Sequence, residues 1–116
     1  MLFRSNIAQI EFELANTLEF NGQINESFKH YSQAEAIYQS LASANPSDVE
    51  DRLMLSEIKN GIALAYRKQG NLEKSRSECQ DALAIAEPLA SGNIEALYSV
   101  FKIGRASCRE RVCYPV

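Results

Sequence analysis

Tryptophan is absent from this chain, and histidine occurs once, as His30. With no second histidine, and no cysteine at ligand spacing from the first, His30 is not expected to be a metal ligand or a catalytic base; the sequence pattern predicts it as an exposed helix-surface residue. Glycine and proline are scarce, five and three among 116 residues. The turn-rich composition of an all-β domain is thereby excluded, and the abundance of Ala, Leu, Glu, Ser and Ile favours helix. No apolar run approaches the ~18 residues of a membrane span, and no basic stretch followed by an apolar segment opens the chain. Gly22 and Gly70 lie too far apart to form a phosphate-binding loop. Glu11, Glu13 and Glu19, with Asp48, Glu50 and Asp51, read as solvated helix faces and first-turn charges rather than paired catalytic carboxylates. The expectation is a protein with no catalytic residues, no metal and no cofactor.

What is present is a repeat. Shifting the sequence by 48 residues aligns 10–45 with 58–93 without a gap, and eleven of the 36 positions are identical. Composition alone would give about two or three. The identities include Ile10/Ile58, Ala15/Ala63, Gly22/Gly70, Ser27/Ser75, Ala34/Ala82 and Leu41/Leu89.

Each copy reads as helix, glycine turn, helix. Ile7, Ile10, Leu14 and Leu18 recur at spacings of three and four, as do Leu55, Ile58, Ile62 and Tyr66 one period later; each set predicts one apolar packing stripe. Gly22 and Gly70 stand where a positive φ would end the helix. The second helices carry Ile24, Phe28, Tyr31, Ala34, Ile37, Tyr38 and Leu41, then Leu72, Cys79, Ala82, Ile85, Ala86 and Leu89. Between the copies, Asn45 and Pro46 followed by Ser47 and Glu50 predict a capping box and a helix start near residue 47. The pattern predicts two antiparallel hairpins, 7–44 and 49–91, stacked in the same sense, and a fifth helix opening near residue 94 with Ile94, Leu97 and Phe101. Pro88 removes an amide donor and crowds the Ala84 carbonyl, so the last full helix is expected to bend or loosen there.

The chain resembles the tetratricopeptide repeat family. The family's positions read Leu14, Ala15, Leu18, Gly22, Ser27, Tyr31 and Ala34 in the first copy and Ile62, Ala63, Tyr66, Gly70, Ser75, Cys79 and Ala82 in the second. It departs from the family in lacking the Trp, where Glu11 and Lys59 stand, in placing Leu18 for the first aromatic, and in its 48-residue period against the usual ~34. Such long-period arrays are similar to those attached to bacterial serine/threonine protein kinases. The resemblance implies an all-α fold of tandem helix-turn-helix repeats over 6–45 and 49–93 with a partial unit at 94–102, acting as a cytoplasmic protein-interaction scaffold. The partner, a protein or peptide, would lie in a groove lined by the first helix of each repeat. Carried over position by position, that groove takes Gln9, Phe12, Asn16 and Glu19 from the first copy and Asn60, Leu64, Arg67 and Lys68 from the second. Phe12 and Leu64 lie off the predicted stripe and suit either a peptide or a neighbouring second helix. Regulation of a signalling enzyme in the same chain, or sensing of a peptide or small ligand, are the alternative roles.

Both ends stand apart from the repeat. Residues 103–116 resemble an in-frame translation of a sequencing adapter, and residues 1–5 resemble its opposite partner, so the genuine segment is expected to be 6–102. Within those bounds eight basic and fourteen acidic residues remain, a net charge of −6 against −3 for the whole chain. An acidic segment without a Lys/Arg cluster is not a nucleic-acid or anionic-membrane binder. Cys79 becomes the lone cysteine, read as a small buried hydrophobe with a free thiol. Two repeats and a fraction leave uncapped faces, through which self-association is expected.

Overall fold

The computed structural model describes residues 2–90 and positions 92, 94, 97 and 100. It is all-helical in those residues: α1 (Leu2–Phe20), α2 (Ile24–Ala44), α3 (Val49–Gln69) and α4 (Leu72–Ala90). The chain is again helical at 94, 97 and 100, where the fifth helix was expected; the rest of that segment and the 103–116 tail lie outside the described residues. No described helix is long and apolar enough to cross a membrane.

The turns follow from local chemistry. Gly22 and Gly70 adopt φ of +85° and +90°, a left-handed conformation that costs glycine nothing and lets the chain reverse. At the second turn the amide of Gly70 donates to the Arg67 carbonyl and that of Asn71 to the Tyr66 carbonyl, which closes off α3. The α3 start differs from the expected capping box. Asp48, not Ser47, is the N-cap, and its carboxylate accepts from the amides of Glu50 and Asp51 at 3.0 and 3.3 Å. A charged acceptor at the positive end of the helix outcompetes a hydroxyl. Asp48→Ala should therefore cost about 1 kcal/mol, and Ser47→Ala less than about 0.5 kcal/mol, in urea unfolding. Helix α4 runs through Pro88 and ends two residues later at Ala90, so the missing amide donor falls in the final turn and the helix continues across it.

Helix α1 packs on α2, α2 on α3, and α3 on α4. The small residues mark the closest approaches. Ala15 is fully buried in a cluster with Tyr31 and Ala34; Ala63, one period later, is buried with their counterparts Cys79 and Ala82. In the second copy the Ser75 hydroxyl donates to the Ala63 carbonyl at 2.6 Å across the helix pair. In the first, Ser27 donates instead to Ile24 in its own helix.

Two expectations about the core are corrected. The predicted α1 stripe does not pack: Ile7, Ile10 and Leu14 are 39%, 63% and 41% exposed, and α1 is buried through Ala8, Ala15 and Glu19, with Phe12 half-buried beside them. Its counterpart on α3 behaves as predicted, with Leu55, Ile58 and Ile62 buried. The difference is position in the stack, because α3 has a helix on each side and α1 has α2 alone as a full neighbour. Cys79 is buried in its expected slot but is disulfide-bonded rather than a free thiol.

Candidate functional site

The first helices α1 and α3 approach each other along one face, and contacts at both ends show that they run in the same direction. Near their N-terminal halves, Gln9 shares a cavity of about 260 Å³ with Tyr38, Glu50, Asp51, Leu53, Met54 and Glu57. Near their C-terminal ends, Lys68 pairs with Glu19 at 3.2 Å.

Between these ends the central side chain is Tyr31 of α2, fully buried. Its hydroxyl lies 2.6 Å from Asn16 Oδ1 and 2.7 Å from Glu19 Oε1. A phenol has one proton, so it serves one acceptor at a time, and the carboxylate is the stronger. Burial first, and the hydrogen bond and charge of Glu19 second, push the Tyr31 pKa far above that of an ordinary phenol; the hydroxyl stays protonated as a fixed donor. Glu19 was read as part of a solvated face. It is only 7% exposed and is held by Tyr31 and Lys68, which compensates the burial of its charge.

The ring of Tyr31 fits because α3 has no side chain where it passes. A Cβ on Gly61 would stand 2.7 Å from Tyr31 Cε1 and 2.9 Å from Cζ. Gly61 corresponds to Glu13 in the first copy, so the self-alignment hides it; a glycine in mid-helix was the available signal.

The structure thus gathers Phe12, Asn16, Glu19 and Lys68 around Tyr31. Phe12 is half-buried, its ring centroid 6.0 Å from that of Tyr31 in a tilted arrangement, so it packs against the neighbouring second helix. Gln9 stands apart at the cavity. Asn60, Leu64 and Arg67 are half-buried along α3, and Lys68 is exposed.

His30 is also corrected. Rather than an exposed surface residue it is half-buried between α1 and α2, with Nδ1 2.5 Å from Glu11 Oε2. With its amide nitrogen turned inward, Gln33 donates to the same carboxylate at 2.6 Å. At the position equivalent to Glu11 in the second repeat, Lys59 joins three helices, 2.9 Å from Glu35 of α2 and 3.7 Å from Glu78 of α4. Burial by itself would lower the Lys59 pKa, but Glu35, then Glu78 and Asp81, more than offset it and hold it raised. Glu78 is raised by burial, which outweighs the opposing charge of Lys59.

The cavity end is acidic in a way that affects stability. Burial, then the charges of Asp48 and Glu50, raise the Asp51 pKa above the ordinary carboxylate value. A group whose folded pKa is raised contributes stability below its unfolded pKa and loses it as pH rises through the folded one. Asp51→Asn should accordingly raise the melting temperature at pH 7, by a degree or so at this partly exposed site, and the gain should vanish towards pH 3 in a thermal melt series.

Comparison with family models, with curated proteins and with solved structures finds no match for this chain.

Proposed function

We propose that this chain is a tetratricopeptide-like helical-repeat segment that binds a partner protein or peptide along the face shared by α1 and α3. The observation that supports this reading most directly is that equivalent first helices run side by side and bound one cavity: Gln9 of α1 and Glu57 of α3, a single repeat period apart, both line it. An extended peptide laid across that face would meet Asn60 and Leu64 in its middle and Lys68 at the far end. At the cavity, Glu50, Asp51 and Glu57 supply negative charge while Leu53, Met54 and Tyr38 supply apolar walls. That combination suits a lysine or arginine side chain, whose aliphatic stem packs while its charged head is neutralised.

The reading is tested by an NMR titration of the isotope-labelled chain with two twelve-residue peptides of equal apolar content, one bearing a central Lys-Arg pair and one a Glu-Asp pair. The basic peptide should shift the amides of Gln9, Leu53, Glu57 and Leu64 saturably, and Glu57→Lys should weaken it about tenfold. Equal response to both peptides, or shifts confined to the far side of α2 and α4, would remove the basis for the proposal.

A further inference from the structure

A second cavity, of about 360 Å³, opens among α2, α3 and α4 and shares no lining residue with the one at Gln9. Its walls are mostly aliphatic: Leu55 of α3 is buried against it, with Ile85, Pro88 and Leu89 of α4 alongside. Three polar side chains also line it, Gln39 and Ser43 of α2 and Arg52 of α3. A space of this size lies in the range of small-molecule sites, which likewise combine apolar walls with a few polar groups.

The arginine gives the cavity its chemistry. Arg52, Leu55 and Lys59 follow one another at spacings of three and four and so share a face of α3. At Lys59 the cation is matched, because Glu35 of α2 and Glu78 of α4 close over it at 2.9 and 3.7 Å. Two turns earlier the same face carries Arg52, half-buried, with no hydrogen bond or ion pair to any described residue. On α2, Gln39 stands one turn beyond Glu35, and on α4, Ile85 stands two turns beyond Glu78, so the cavity continues the groove that Lys59 closes. Among the described residues no carboxylate lines it. A guanidinium is charged at every ordinary pH and presents its donors as a planar fork that matches the two oxygens of a carboxylate. Where Lys59 finds its anions within the chain, Arg52 leaves room for one from outside.

We propose that this cavity binds a small aliphatic monocarboxylate, its head group on Arg52 and its chain against Leu55, Ile85 and Leu89. One negative charge suits the surroundings better than two. Asp48, Glu50 and Asp51 precede Arg52, and Glu35, Glu78 and Asp81 act on Lys59, so the local field repels a phosphate dianion more than a carboxylate. Gln39 and Ser43 offer neutral donors from the opposite wall. The site is separate from the groove between α1 and α3, and neither reading depends on the other.

The test is an NMR titration of the isotope-labelled full chain with sodium octanoate, beside octanol, acetate and octyl phosphate. Octanoate should shift the Arg52 Nε–H and the methyls of Leu55, Ile85 and Leu89 saturably, with half-saturation at about 1 mM or below. Octanol lacks the charge and acetate the chain, and each should bind at least about tenfold more weakly. Arg52→Gln should weaken octanoate about tenfold while the melting temperature stays within about 2 °C, since Arg52 holds no other side chain in place. Ala84→Leu, at an exposed position lining the same cavity, should weaken octanoate by filling the space. The proposal is overturned if octanoate does not saturate by about 10 mM, if octanol binds as well, or if Arg52→Gln and Ala84→Leu both leave binding intact. It is also overturned if the shifts centre on the exposed Lys68 and Lys74, or if octyl phosphate binds more tightly than octanoate, since the site would then be one for phosphate.

Discussion

Gly61→Ala is expected to destabilise this protein by about 1–3 kcal/mol, against the usual rule that removing glycine from a helix interior gains about 1 kcal/mol. The added methyl would sit inside van der Waals contact with the Tyr31 ring. That ring cannot step aside cheaply: it is fully buried, and its hydroxyl is tied to Asn16 and Glu19. Tyr31→Ala alone should cost about 3–5 kcal/mol through lost burial and the loss of the phenol donor to the buried Glu19 Oε1. Combined with Tyr31→Ala, the Gly61→Ala change should reverse sign and stabilise by up to about 1 kcal/mol, because the space is then empty and only helix propensity remains. A urea-unfolding cycle of the four proteins measures this coupling. Additive single effects would mean that the ring and the glycine are not in the contact described, and the account of how α2 seats against α3 would fail with it.

The second large effect contrasts positions that the sequence makes equivalent. Ile58→Ala should cost about 2–5 kcal/mol, the range for a fully buried aliphatic side chain. Ile10→Ala, the same substitution one repeat earlier, should change stability by less than about 0.5 kcal/mol because Ile10 is already in water. Thermal or urea melts of the two variants decide it. Equal costs would show that the α1 face is covered in solution; an undiminished melting point for Ile58→Ala would show that α2 does not close over α3.

The helices, their order and most of their limits were legible because local rules decide them. Glycines at the two positive-φ turns, apolar residues at spacings of three and four, and the self-match at 48 residues all act over a few neighbouring residues or repeat visibly. The same is true of Ala15 and Ala63, whose small size marks a helix crossing in each copy. The α3 cap was placed within one residue, and was assigned to Ser47 because the capping-box pattern does not weigh a neighbouring carboxylate against a hydroxyl.

What was misread depended on which helix lies beside which. Periodicity identifies an apolar stripe but not its neighbour, so the Ile7, Ile10 and Leu14 stripe was given the role that Ala8, Phe12 and Ala15 perform. Of the groove residues, Phe12 could be read either way until its ring was found against Tyr31, and Glu19 looked solvated until Tyr31 and Lys68 were found around it. His30 and Glu11 lie nineteen residues apart and meet only because α1 and α2 fold back on each other.

The sequence by itself therefore determined that this chain is helical, where its turns fall, and that its second half repeats its first, because these follow from backbone sterics and side-chain spacing within one or two turns of helix. Only the tertiary structure decided which apolar face is buried, which charges are paired, and that Gly61 and Tyr31 share one space. Those outcomes are set by contact between segments far apart in the chain, and identical local patterns meet different neighbours at the end of a stack and in its middle.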